Sequence, residues 1–117
     1  MAKLILVLDG VNLRDYSLEK DRVSLGRKPE NEIQLDDAAV SSLHVVFDRV
    51  VSAYLDDHFD YYIEDVNSTN GTTVNSIGIK RQLLKHGDVI EVGKHRFLFD
   101  SGTGELADTA IYLPDSE

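Results

Sequence analysis

The sequence lacks several features, and each absence excludes a class of protein. It contains no cysteine, which excludes disulfides, thiolate metal sites and cysteine nucleophiles. The apolar run near the amino terminus, Leu4–Leu8, is shorter than the roughly 7–15 apolar residues of a signal peptide or the about 20 of a membrane span. We therefore expect a protein of the reducing cytoplasm, with no membrane partner.

Basic residues are scarce. The chain of 117 residues has 12 Lys and Arg against 21 Asp and Glu, a formal net charge of −9. Nucleic acids are bound by basic residues that displace counterions from phosphates, so this excess of acid argues against a nucleic-acid partner. Residues 100–117 hold five acids and no Lys or Arg, so −5 of the −9 resides there and −4 remains for residues 1–99. We predict one domain over residues 1–100 and a flexible acidic tail over residues 101–117.

Turn residues separate short apolar or β-branched runs throughout residues 1–100, and helical periodicity is hard to find. Both prolines, Pro29 and Pro114, fall outside these runs. We predict an all-β fold, a two-sheet antiparallel sandwich of about eleven short strands with ligand loops at one end. Its second and third strands should form a hairpin around Glu19–Asp21. The predicted strands are Lys3–Leu8, Tyr16–Leu18, Arg22–Leu25, Ile33–Leu35, Val45–Ala53, Tyr61–Val66, Thr72–Val74, Ile77–Ile79, Leu83–Leu84, Val89–Val92 and His95–Phe99.

Three loop segments lie next to predicted strand ends: Gly26–Arg27, Val40–His44 and Asp65–Thr72. Loops of a sandwich gather at its ends, so these segments are expected to lie close together. They supply an arginine guanidinium, several hydroxyls, an asparagine amide and backbone N–H groups. Such a donor-rich set suits an anion with several oxygens, whereas a metal cation needs acceptors.

Each segment also has a simpler interpretation, and some residues suggest functions other than an anion site. A lone arginine is usually a solvated charge, and Asn70-Gly71 favours a tight turn. Ser41 and His44 invite comparison with a hydrolase, but no nucleophile-elbow motif accompanies them. The Asp56-Asp57-His58-x-Asp60 stretch has some metal-ligand character, although acid-rich turns are a commoner origin of such a cluster. We therefore expect no enzyme, no metal and no cofactor.

Taken together, the motifs resemble the forkhead-associated (FHA) domain family, and the resemblance covers Leu4 to Phe99. The matching positions are Gly26-Arg27, Asn31–Asp37, Ser41 with His44, Asp65 with Ser68–Thr72, and Gly87–Gly93. The resemblance implies a module without catalysis that binds phosphothreonine peptides of partner proteins, among them a Ser/Thr kinase or its substrate. The alternative is an FHA-like scaffold that binds its partner independently of phosphate.

Residue by residue, the resemblance implies that Arg27 binds the phosphate and that the Ser41 hydroxyl donates to a phosphate oxygen. Thr69 is expected to add a second contact, and Asn70 to hydrogen-bond the peptide backbone beside the phosphothreonine. Three further residues, Gly26, His44 and Gly71, are expected to support the loops structurally.

The sequence departs from many family members at two positions. Ser42 stands where an arginine or asparagine is common, so the phosphate should be held there by a short, uncharged donor. Ala39 stands where some members carry a basic residue, so no acidic preference is expected at the third position after the phosphothreonine.

The tail contains a threonine in an acidic context, Thr109, followed by the apolar stretch Ala110–Leu113. If phosphorylated, Thr109 would be able to occupy the site of its own chain or of a neighbour. The alternative is a plain linker.

Overall fold

The computed structural model describes residues 2–52 and 59–102. Within these ranges the chain forms eleven strands and no helix, which confirms the predicted all-β class. The acidic stretch Asp56-Asp57-His58, the tail from residue 103 onward and Thr109 lie outside the described residues. The strands are β1 (Lys3–Leu8), β2 (Val11–Ser17), β3 (Arg22–Gly26), β4 (Ile33–Gln34), β5 (Val45–Val51), β6 (Phe59–Asp65), β7 (Thr72–Val74), β8 (Ile77–Gly78), β9 (Arg81–Leu83), β10 (Val89–Val92) and β11 (His95–Asp100).

The strands form two sheets. One has the order β2-β1-β11-β10-β7-β8 and the other the order β4-β3-β5-β6-β9. Strand neighbours are antiparallel except for β3 and β4, which run parallel with Leu25 opposite Ile33. Alternate residues of each sheet point inward, and buried phenylalanines such as Phe47 of β5 and Phe97 of β11 belong to the core between the sheets.

The first hairpin turns at Asp9 and Gly10, whose φ angles of 53° and 78° suit the tight turn between β1 and β2. β2 is longer than the predicted strand Tyr16–Leu18. It lies at the edge of its sheet and six of its seven residues are exposed, among them the apolar Val11 and Leu13, so packing against the core constrains little of its sequence.

The predicted hairpin around Glu19–Asp21 is wrong. β2 pairs with β1, whereas β3 pairs with β4 and β5 in the other sheet. The physical reason lies at Leu18, which is 1% exposed and whose amide donates to the Ala2 carbonyl at 3.0 Å. Because Leu18 is buried in the core, residues 19–21 connect the two sheets instead of turning within one.

Strand register brings the three loop segments to one end of the sandwich. Leu25 near the end of β3 lies opposite Val45 at the start of β5, and Val45 lies opposite Asp65 at the end of β6. The loops that adjoin these strand ends therefore lie at the same end of the five-stranded sheet. In residues 2–52 and 59–102, no helix is long and apolar enough to span a membrane.

Candidate functional site

Arg27 follows the last residue of β3 and contacts the β4–β5 loop, residues 35–44. Its backbone amide donates to the Ser41 carbonyl at 2.9 Å. Its side chain donates through Nε to the Val40 carbonyl at 3.1 Å and through Nη2 to Ser42 Oγ at 3.3 Å. These bonds hold the exposed guanidinium beside the two serines.

Gly26 packs against the same loop from behind. A Cβ at this position would overlap the Ser42 carbonyl oxygen and lie 2.7 Å from Asn31 Nδ2. Asn31 itself donates to the carbonyls of Ser42, at 2.7 Å, and Lys28, at 2.9 Å. The geometry therefore gives Gly26 a steric role, and it adds Asn31 to the supporting residues. Sequence reasoning used Asn31 only as part of a motif.

The β6–β7 loop, residues 66–71, is organised by the carboxylate of Asp65, which is 6% exposed. Asp65 accepts hydrogen bonds from the Ser68 amide at 2.8 Å and from the Ser68 and Thr72 hydroxyls, both at 2.6 Å. Burial by itself raises the pKa of Asp65, but these hydrogen bonds outweigh it and hold the pKa below its ordinary value.

The turn that closes the β6–β7 loop depends on Ser68 and Gly71. Ser68 Oγ accepts the Gly71 amide at 2.9 Å, and Gly71 has a φ of +82°, where a side chain would be strained. Gly71 therefore supports the loop through its backbone conformation.

The two loops are bound to each other by hydrogen bonds. The Thr69 amide donates to Ser41 Oγ at 3.0 Å, and Asn70 Nδ2 donates to the Ala39 carbonyl at 2.8 Å. Hydrogen bonds thus bring together Arg27, Ser41, Ser42, Thr69 and Asn70 at one end of the fold, with Thr69 bonded through its backbone amide and the others through side chains.

His44 lies beneath this network with no exposed surface. Its Nδ1 accepts the Ser41 amide at 3.0 Å, and its Nε2 lies 2.9 Å from the Gly71 carbonyl oxygen. Because Nδ1 accepts and a carbonyl cannot donate, the ring proton must reside on Nε2. His44 therefore connects the loops as a neutral imidazole, which is a structural position and not that of a surface ligand or base.

The network leaves donor groups directed at solvent. Ser41 Oγ accepts a bond from Thr69, so its own hydroxyl hydrogen is left for an external acceptor. Asn70 uses one N–H on Ala39, which leaves a second N–H and the amide oxygen. The Thr69 amide is already bonded to Ser41, so its hydroxyl is the group it offers. Among the described residues, no group of three or more His, Asp or Glu side chains is placed to hold a metal.

A cleft of about 280 Å³ adjoins Asn70, and Arg27 is not among the residues that line it. It is lined by Ala39, Asn70, Gly71, Thr73, Glu91, Gly93 and Lys94. The surface beside the Asn70 amide is therefore concave. It carries both signs of charge, because its walls include one acid, Glu91, and one base, Lys94.

Comparison with known proteins agrees with this geometry. The FHA domain model matches residues 23–93. The chain is 35% identical over 103 residues to the oxoglutarate dehydrogenase inhibitor of Corynebacterium jeikeium. This alignment covers 87% of this chain and 67% of the relative. It is 33% identical over 106 residues to the glycogen accumulation regulator GarA of Mycobacterium tuberculosis. This alignment covers 90% of this chain and 61% of the relative.

A solved structure adds a likeness in three dimensions. The structure of Mycobacterium tuberculosis EmbR in complex with a low-affinity phosphopeptide superposes with a TM-score of 0.73 at 33% identity. The match covers 88% of this chain and 25% of EmbR. Fold, site and sequence thus define a phosphothreonine-binding module of the β-sandwich class. The chain belongs to the FHA domain family.

Proposed function

We propose that this protein docks onto partner proteins by binding a phosphothreonine through the loops around Arg27, Ser41 and Asn70. The observation that carries the proposal is the set of hydrogen bonds that ties Arg27 and the β6–β7 loop to residues 39–42 and so gathers the Arg27 guanidinium, the two serines and the Asn70 amide at one end of the fold. Its exposed groups include several donors, and the carboxylate of Asp65 beneath the loops is buried and already bonded to three donors.

Within the network, the guanidinium of Arg27 is assigned to two phosphate oxygens, since its fork matches that geometry and a lysine does not. The hydroxyls of Ser41, Ser42 and Thr69 are assigned as further donors to the three phosphate oxygens, each of which accepts more than one hydrogen bond. Asn70 is assigned to the peptide backbone, because its amide has both a donor and an acceptor left and lines the cleft, whereas Arg27 does not line it.

Local donors are strong enough to overcome the acidity of the chain. A phosphothreonine carries about −1.5 to −2 charge and three strong acceptors. Each hydrogen bond to a charged group contributes roughly 1.5–3 kcal/mol. The repulsive charge of residues 1–99 is spread over the surface and screened over about 8–10 Å, so directed donors within bonding distance dominate.

The biological setting is inferred from the relatives and the composition. The two relatives are named as an inhibitor and a regulator, which fits a protein that acts by binding. This chain matches only 61–67% of their lengths, so their targets are not transferred to it. We propose a role in Ser/Thr kinase signalling in the cytoplasm, where a chain without cysteine needs no oxidative folding. Residues 1–100, which end with β11, form the binding module, and residues 101–117 form its tail.

A peptide-library titration tests the proposal. The wild-type chain is titrated with a degenerate phosphothreonine peptide library and with the same library unphosphorylated. Binding should require phosphate, because the donors have no comparable acceptor on a free threonine. Arg27→Ala should weaken binding at least about tenfold, which corresponds to the loss of one charge-assisted hydrogen bond.

Lys28→Ala is the matched control, since it removes the same charge from the adjacent exposed residue and should leave the affinity nearly unchanged. Equal binding to both libraries would instead favour a phosphate-independent scaffold. Equal effects of Arg27→Ala and Lys28→Ala would show that net charge, and not a directed contact, drives binding.

A further inference from the structure

A continuous chain of hydrogen bonds runs from β11 to the Asn70 side chain. His95 Nε2 lies 3.0 Å from Asp37 Oδ2, and the other oxygen, Oδ1, accepts the Ala39 amide at 2.9 Å. The Ala39 carbonyl in turn accepts Asn70 Nδ2 at 2.8 Å. His95 is thus connected through two residues to the amide assigned to the peptide backbone.

Asp37 is placed to transmit the position of His95. Its backbone amide donates to the Leu35 carbonyl at 2.8 Å, and its carbonyl accepts the Val40 amide at 2.9 Å, so it forms the first turn of the β4–β5 loop. The Ala39 amide lowers the pKa of Asp37, and His95 and Lys94 add to this effect against the burial of the carboxyl. An ionised carboxylate only accepts, so His95 Nε2 is the donor.

The turn that precedes His95 also packs against the loop. Gly93 has a φ of +59°, and a Cβ built there would lie 3.2 Å from Val40 Cγ2 and 3.5 Å from Ala39 Cβ. Val40 is 1% exposed, so the β10–β11 turn closes this side of the β4–β5 loop. His95 therefore acts from a rigid strand end and not from a solvated arm.

We propose that His95 is a positioning residue for phosphopeptide binding, which acts through Asp37 and Ala39 to orient the Asn70 amide. This inference rests on the proposed function. It assigns His95 to the peptide-backbone half of the site, whereas Ser42, which is bonded to Arg27, belongs to the phosphate half.

The first test compares dissociation constants for the tightest phosphothreonine peptide recovered from the library. His95→Ala should weaken binding about two- to fivefold, as expected for the loss of one partly exposed hydrogen bond to a carboxylate. His95→Gln should restore most of the affinity, because its side-chain amide is able to donate to Asp37. The melting temperature of each variant is measured by thermal unfolding, and binding is measured well below it. Loss of folded protein is then not mistaken for loss of affinity.

The second test is a pair of double-mutant cycles, which separates positioning from general loosening of the loop. In an Asn70→Ala background, His95→Ala should cause no further loss. In a Ser42→Ala background it should cause its full two- to fivefold loss, since the two act on different halves of the site.

An equal loss in both backgrounds, a His95→Gln variant as weak as His95→Ala, or no loss at all would each overturn the inference. Arg27→Ala separates these outcomes from failure of the proposed function. If Arg27→Ala abolishes phosphate-dependent binding while His95→Ala leaves it intact, the function stands and the positioning role falls.

Discussion

The two loops that meet at the binding end are held in different ways. The β6–β7 loop is ordered mainly from within its own sequence, since the Asp65 carboxylate binds groups three and seven residues further along the chain. The β4–β5 loop is supported chiefly by other elements: by Arg27 and Asn31 on one side and by His95 on another. Its own last residue, His44, bonds both to Ser41 within the loop and to Gly71 of the other loop.

This difference determines what a substitution should do. A loop organised by one carboxylate should lose its order when that carboxylate changes, while its neighbour keeps its own supports. A loop supported by several elements should lose one contact at a time. The binding site needs both loops, because Ser41 comes from one and Asn70 from the other.

The largest expected effect follows from Asp65→Asn. The amide cannot accept all three hydrogen bonds as strongly as the carboxylate does, so the free energy of unfolding should fall by about 3 kcal/mol. Urea denaturation measures this loss, and amide hydrogen exchange should be faster in residues 66–71 than in residues 35–44. Glu64→Gln is the matched control, because Glu64 binds Arg81 at the surface and should contribute less than about 1 kcal/mol. Equal losses for the two variants would contradict the account of the β6–β7 loop.

Gly26→Ala should have the next largest effect and act on the other loop. The added methyl group overlaps the Ser42 carbonyl, so the β4–β5 loop must shift at a cost of about 1–3 kcal/mol. Phosphopeptide affinity should fall with it, as measured by calorimetric titration of the folded variant. Gly78→Ala provides the control, because its Cβ would meet no atom within 4 Å. The account fails if Gly26→Ala binds phosphopeptide as well as Gly78→Ala does.

The smallest effect concerns pH and isolates the charge of Asp65. Its pKa is lowered in the folded state, so its stabilisation is fully present above the unfolded value and is lost as pH falls through the folded one. The stability difference between wild type and Asp65→Asn should change by less than about 0.5 kcal/mol between pH 7 and pH 5, and should shrink below about pH 4. If the stability difference between wild type and Asp65→Asn grows as the pH falls, the pKa of Asp65 is not lowered by folding and the interpretation is wrong.

The same contrast explains which features were predictable from sequence. The sandwich and the two loop motifs followed from apolar runs, turn residues and local spacing. The roles of Asp37 and His95 did not, because these two residues are 58 positions apart in the chain and come together only through the packing of the β10–β11 turn. The connection between the two sheets after Leu18 was predicted as a hairpin for a related reason. The local pattern shows that Leu18 is apolar but not which sheet the following strand joins.

The central claim is that one phosphothreonine is held jointly by the two loops. Backbone amide shifts in an NMR titration with a library-selected phosphothreonine peptide test it most directly. We expect the largest changes in residues 26–28, 39–44 and 68–71, and little change at Val51 and Phe59 at the opposite end of β5 and β6. Changes centred on that opposite end, or the same changes with the unphosphorylated peptide, would contradict the account.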